Sequence, residues 1–267
     1  MIKLGANSVL FAAFDLETAM RQIARAGYDG VELSAIKGMC EHLDLDSYKG
    51  QIERIKSLAA DNELELLAIE EAALDEERLL RCFDAAAQLG IPVVNVGPGG
   101  KSGMEEDFLH QTDLLQALSE RAVAFGVKLC AKAHIGQCID DTPSTLRAMA
   151  RIESPGFGVD MDPSHIFRAG EDPVEALSAV IGRVAHVHIR DCARPTDPGP
   201  GKPELQACGR GGIDLFGYVK VLHESGLHVA ADLEVIGAGY YDLEQVTTIA
   251  AESRGYLNAC LRACGAR

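Results

Sequence analysis

The stretch Leu129–Gln137, LCAKAHIGQ, begins as a buried strand and ends on two ionisable side chains, Lys132 and His134, with one small residue between them. A strand that closes on charge needs other groups to receive that charge. Working outward from it, the same unit recurs along the chain: a short apolar run followed by a longer helical pattern. The runs are IKLGA (2–6), GVELS (30–34), LELLAIE (64–70), PVVNVG (92–97), VKLCAKA (127–133), GFGVDMD (156–162), VAHVHIR (184–190) and VAADLEV (229–235). Alternation of this kind implies a parallel sheet covered by helices.

The helical stretches between the runs carry starts and stops. Asp15 is placed to cap LETAMRQIARA before Gly27, DEERLLRCFDAAAQL carries carboxylates in its first turn and stops at Gly90, and a further helix runs from Asp214 to Gly226. A last helix from about Asp242 to Ala263 completes the series. Eight such units in 267 residues are the arithmetic of a (β/α)8 TIM barrel. A doubly wound open sheet is the alternative, but no G-x-G-x-x-G follows the first run. GPGGKSG (97–103) does not match a phosphate-binding P-loop and reads as a strand-to-helix loop, with contact to a phosphate or carboxylate as its sharper reading.

Residues 1–267 read as one domain, and 47% hydrophobic composition is enough for a sizeable core. The irregular segment 192–212, CARPTDPGPGKPELQACGRGG, follows the seventh run and reads as a lid or active-site loop, because long aperiodic loops in compact domains are commonly functional. No apolar run of about 18 residues occurs and the N-terminus lacks a signal-like apolar region, so a soluble, cytoplasmic protein without membrane contact is expected. Eight scattered cysteines with no C-x-x-C pair point to reduced thiols, with Cys192 and Cys208 as the two that share a loop. A net charge of −15 would repel a phosphate backbone, and nucleic acid is not an expected partner.

Because strand side chains alternate, Lys132 and His134, Asp160 and Asp162, His186, His188 and Arg190, and Asp232 and Glu234 share faces at the ends of runs five to eight. Alone, an Asp at a strand end is a helix cap, as Asp162 before Pro163 could be, and a lone His is an ordinary hydrogen-bonder. Four successive strands ending in ionisable groups are costly unless the groups pair or hold a cation. Carboxylate, imidazole and carboxylate on strands six, seven and eight make a site for Mn²⁺, Mg²⁺, Co²⁺ or Zn²⁺.

GVDMDPSH (158–165), HVHIRD (186–191), GRGGIDLFGYVKVL (209–222) and ADLEV (231–235) resemble the xylose isomerase-like TIM barrel superfamily of sugar isomerases, epimerases and keto-sugar dehydratases, in the same order and over essentially the whole chain. The resemblance implies one divalent metal, Mn²⁺ first among the candidates, held by Asp162, His188 and Glu234. It places His165 and Arg190 against substrate, and Glu32, Glu70 and His134 in the same pocket. It also implies a homodimer or homotetramer acting on a small-molecule sugar. The family's fifth-strand glutamate is replaced here by Lys132, with His134 in register behind it.

An ammonium in a carboxylate's position reverses the sign of one ligand, and three arrangements follow. The metal could stay on Asp162, His188 and Glu234 with Lys132 beside it as acid/base or oxyanion donor and Glu234 as base. The ammonium could replace the metal by pairing with Asp162 and Glu234. Lys132 could instead turn toward Glu70 and leave a weaker metal site. The resulting expectation is a metal-dependent isomerase or epimerase working through an enediolate. A dehydratase or lyase of the same fold, or a metal-free sugar-binding protein, are its alternatives. The multi-zinc DNA-repair nucleases of this fold are set aside, since Glu70 and Asn95 stand where histidines would be needed.

Overall fold

The computed structural model describes residues 2–195 and 199–267. Nine strands are present among them: β1 Lys3–Asn7, β2 Gly30–Ile36, β3 Cys40–Glu41, β4 Glu65–Glu70, β5 Val93–Val96, β6 Lys128–Lys132, β7 Phe157–Met161, β8 Val184–Ile189 and β9 Ala230–Leu233. The helices are α1 Leu16–Ala26, α2 Ile52–Asp61, α3 Glu76–Leu89, α4 Glu105–Ala124, α5 Thr142–Arg151, α6 Pro163–Arg168, α7 Pro173–Val180, α8 Leu215–Glu224 and α9 Leu243–Ala263. Eight strands pair in parallel in the order β1-β9-β8-β7-β6-β5-β4-β2, and β1 pairs with β2 to close the ring. This is a (β/α)8 barrel.

Each of the eight apolar runs overlaps one barrel strand, with ends within two residues of those read from sequence. The addition is β3, a two-residue antiparallel partner to the end of β2 that is too short to carry a periodic signal. With β3 outside the ring, the fifth barrel strand is β6, which ends on Lys132.

The helices form where the caps allow. Asp15, Asp75, Asp214 and Asp242 each accept a hydrogen bond from the backbone N–H three residues on, satisfying one of the donors a helix N-terminus leaves open. Gly27 and Gly90 stop α1 and α3 at φ of +89° and +74°, a region glycine enters without a Cβ clash. Met20 and Ile23 of α1 and Ile249, Leu257 and Leu261 of α9 face the barrel; each such side chain contributes about 1.5–3 kcal/mol of burial.

Inside the ring the packing is unusual. The lower lumen holds a small apolar cluster of Ala68, Val93 and Cys130. Above it the alternation brings in Asn7, Glu32, Asn95, Asp160, His186 and Asp232, all fully buried. Barrel interiors are ordinarily filled by branched aliphatic residues in layers. Gly5 makes the polar filling possible: a Cβ built there would meet Asp232 Oδ1 at 1.7 Å. No helix among the described residues is long and apolar enough to cross a membrane.

Candidate active site

The polar filling culminates at the C-terminal ends of the strands. Lys132 Nζ lies 2.8 Å from Glu234 Oε1, 3.1 Å from Glu70 Oε1 and 3.1 Å from His188 Nδ1. Its three N–H bonds are thus directed to side chains from β4, β8 and the end of β9. Burial opposes the lysine's charge, but Glu234 and Glu70 more than offset it and hold the ammonium above its ordinary range.

The two carboxylates diverge. Burial and the negative charge of Glu234 push Glu70 up to about 7. Burial acts on Glu234 in the same direction, yet Lys132 and Arg190 hold it well below the usual carboxylate range. Asn7 Nδ2 supports Glu70 Oε2 at 2.6 Å and Glu32 Oε2 at 2.9 Å. Glu234 Oε2 is buried without a hydrogen-bond partner, 3.4 Å from Arg190 Nη2.

His188 is oriented from below. Its Nε2 lies 2.6 Å from Glu32 Oε2 and its Nδ1 3.1 Å from Lys132 Nζ; despite burial, Asp160 and Glu32 hold the imidazole well above its ordinary range. Asp160 Oδ2 lies 2.7 Å from the same Nδ1 but makes no hydrogen bond. Asp160 Oδ1 instead accepts from the His188 backbone N–H at 2.9 Å and from His186 Nδ1 at 3.0 Å. His186 donates its other N–H to Asp232 Oδ2 at 2.8 Å; despite burial, Asp160 raises the imidazole to about 10.

A second cluster forms the wall. Arg190 Nη2 donates to Asp162 Oδ2 at 3.0 Å and Nε to Ser164 Oγ at 2.7 Å, while Asp162 Oδ1 caps α6 by accepting from the Ser164 N–H at 2.8 Å. Arg190 Nη2 also meets His165 Nε2 at 3.0 Å, and the His165 and His134 rings stand 4.2 Å apart. Burial and Arg190 keep His165 neutral, and burial with Lys132 lowers His134.

These two clusters border a cavity of about 390 Å³ lined by Glu70, Lys132, His134, His165, Arg190 and Glu234. The volume suits a small polar molecule. Of the residues expected from sequence, Glu70, Lys132, His188 and Glu234 converge on one point, with Glu32 directly beneath. Asp162 does not join them, since Arg190 and the cap of α6 take its two oxygens. Lys132 meets Glu234 and Glu70 rather than Glu234 and Asp162.

Asn7, Ser164 and Gln206 were not legible as site residues. Asn7 shares a face with Gly5 on β1, and that alternation was the available signal. Gln206 accepts from the Ile236 N–H at 3.1 Å and donates to the Ile236 carbonyl at 2.9 Å, tying the 192–212 segment to the end of β9. Gly199 and Pro200 of that segment reach the cavity wall, and residues 196–198 lie outside the described residues. Gly97 of the 97–103 loop is also on the wall. Burial pushes the Cys208 thiol up, away from thiolate chemistry.

Among the described residues two groups of side chains converge closely enough to hold a metal ion: Glu70, His188 and Glu234, and Glu32, His186 and His188. As arranged, neither fits a divalent ion. The first is filled by the Lys132 ammonium. In the second, Glu32 and His188 bond to each other, and both His186 nitrogens face carboxylates.

The profile of the xylose isomerase-like TIM barrel family matches residues 20–260. The chain is 26% identical over 240 residues to a 3-dehydroshikimate dehydratase of Pseudomonas aeruginosa, covering 84% of this chain but only 37% of that protein. To an inosose dehydratase of Clostridium botulinum it is 25% identical over 149 residues, 56% of this chain and 44% of that one. The chain thus spans less than half the length of these two relatives. Among solved structures, a probable 3-DHS dehydratase, AsbF, of Bacillus anthracis superposes with a TM-score of 0.78 at 16% identity, covering 96% of this chain and 98% of that one. A D-tagatose 3-epimerase-like protein superposes with a TM-score of 0.78 at 19% identity, covering 98% of each. These two likenesses concern the fold. From the matched profile, the chain belongs to the xylose isomerase-like TIM barrel family.

Proposed function

We propose that this protein is a dehydratase of a small polyhydroxylated carbonyl compound, a keto-polyol or keto acid, working through an enolate. The observation that carries this reading is the buried ammonium of Lys132 held between Glu234 and Glu70 at the base of the cavity. Removing a proton next to a carbonyl places negative charge on the carbonyl oxygen, and fixed cations aimed at that oxygen lower the barrier. Lys132 and Arg190 supply that positive charge here from the cavity wall, through space, since the three Lys132 N–H bonds are already directed to protein side chains.

The two carboxylates divide the proton work, because their environments push them in opposite directions. Glu234, ionised and with Oε2 unpartnered, is the base that takes the proton next to the carbonyl. The C–H electron pair moves into a C=C bond as the carbonyl oxygen becomes the enolate oxygen. Glu70, raised to about 7, is the acid: when the enolate collapses, the bond to the neighbouring hydroxyl breaks and that group leaves as water with the Glu70 proton. The Glu234 proton then returns to Glu70 across the Lys132 cluster. No step is routed through a metal.

The expected isomerase or epimerase shares the first step and differs in the fate of the enolate. Epimerisation by two bases needs one on each face of the carbon; at about 3–3.5 Å each, that is a separation of about 6–7 Å. One oxygen of Glu70 and one of Glu234 lie within 4.8 Å of each other, on one ammonium, and this close pairing supports elimination. The names of the two dehydratase relatives support the same choice. In this reading the described part of the 192–212 segment covers the substrate.

The test is incubation in D2O with 3-dehydroshikimate, inosose and D-tagatose, followed by UV absorbance and NMR. Formation of a conjugated product with loss of water, abolished in Glu234→Gln, is expected. Deuterium entering next to the carbonyl without loss of water would instead establish an isomerase or epimerase. Saturable binding with neither outcome would establish a binding protein.

A further inference from the structure

We infer that the Lys132 ammonium is the resident cation of this barrel, standing where a divalent metal would otherwise sit, so that one side chain decides whether the site takes a metal. The inference concerns the cation and not the reaction, and it holds whichever carbonyl compound is turned over.

Three features carry it. The donors around Nζ are two carboxylate oxygens and one imidazole nitrogen, a set that suits a divalent ion. Yet their distances to Nζ are 2.8–3.1 Å, the length of ammonium hydrogen bonds; metal–ligand bonds are about 2.0–2.2 Å. His188 is supported as metal-bound histidines are, with its far nitrogen Nε2 2.6 Å from a carboxylate, Glu32, and its Nδ1 turned to the cation. The supporting contacts of a metal site are therefore present, with nitrogen at the centre.

The charge is compensated in the same way. A divalent ion brings two positive charges to one point. Here Lys132 brings one and Arg190 the second, 3.4 Å from the oxygen of Glu234 that Lys132 leaves free. Asp162, which a metal would otherwise recruit, is bound to that arginine at 3.0 Å. Displacing the ammonium by a metal would leave a buried lysine without partners, which is costly.

The test is metal binding rather than turnover. Wild-type protein, Lys132→Glu and Lys132→Ala are dialysed against chelator, titrated with Mn²⁺ by calorimetry, and followed by Tm and elemental analysis. Wild type is expected to hold no stoichiometric Mn²⁺ and to show the same Tm with Mn²⁺ and with chelator. Lys132→Glu is expected to gain at least about a hundredfold in Mn²⁺ affinity, with Tm rising with Mn²⁺ concentration by mass action. Lys132→Ala, left with two carboxylates and an imidazole, is expected to lose Tm in chelator and to recover part of it in Mn²⁺. One equivalent of Mn²⁺ bound tightly by wild type overturns the inference. So does a folded Lys132→Glu or Lys132→Ala that binds Mn²⁺ no better than wild type. If neither variant folds, the wild-type titration decides alone. Failure of the proposed dehydration leaves all of these results unchanged.

Discussion

Arg190 Nη2 lies 3.0 Å from Asp162 Oδ2, so the aspartate at the end of β7 answers to an arginine rather than to the cation between β4 and β9. Both side chains are fully buried. Asp162 also caps α6 through its other oxygen. Asp162→Asn keeps an oxygen for the cap but removes the carboxylate hydrogen-bonded to Arg190, leaving Glu234 at 3.4 Å as its anionic partner; breaking a buried pair costs at most about 3–5 kcal/mol. Asp162→Ala loses the cap as well and should cost about 1 kcal/mol more. Urea denaturation of the two variants beside wild type measures both steps. Equal stability of Asp162→Asn and wild type would mean that the arginine pair contributes nothing.

Lys132→Met removes the ammonium while keeping much of its volume. Glu234 and Glu70 then lie buried together with no lysine between them. A loss of about 3–5 kcal/mol is expected at pH 8. At pH 5 the loss shrinks, because the unpaired carboxylates take up protons in the folded state and the repulsion disappears. Denaturant midpoints at the two pH values check this. A pH-independent loss would point to packing alone.

Much of this architecture was written locally. The eight apolar runs, the aspartates before α1, α3, α8 and α9, and the glycines at 27 and 90 act over a few residues, and each can be read without its neighbours in space. The fate of Lys132 was not local. Its partners come from positions 70, 188 and 234, and only barrel closure decides that Glu70 rather than Asp162 receives it. Asn7 escaped for the same reason: a single asparagine after a short strand is an ordinary turn residue until β2 and β4 bring Glu32 and Glu70 to it.

Gly5 and Asp232 test whether the polar lumen dictates the composition of β1. The two residues face each other in register across β1 and β9. A Cβ at position 5 would approach Asp232 Oδ1 to 1.7 Å and Leu67 Cδ1 to 2.5 Å. Asp232 has little room to withdraw, since its other oxygen is bound to His186 at 2.8 Å. Gly5→Ala is expected to cost about 1–3 kcal/mol through overpacking. Thermal unfolding reads this directly, and an unchanged Tm would show that the lumen repacks freely.

Glu70 gives the pH behaviour of both stability and rate. Its value of about 7 in the folded protein lies above the ordinary 4.5, because burial and Glu234 disfavour its charge. Between about 4.5 and about 7 the folded protein keeps a proton that the unfolded chain has released. Unfolding therefore releases a proton in that window, and stability falls as pH rises through it, levelling above about 7. Glu70→Gln, which cannot lose a proton, should lack this decline when urea midpoints are compared at pH 5 and pH 8. As the acid of the proposed elimination, Glu70 must be protonated, so the wild-type rate should fall as pH rises through about 7. Glu70→Gln should lose about 10²–10⁴-fold in kcat together with that limb of the profile. A limb near 7 that persists in Glu70→Gln would assign the acid to another group.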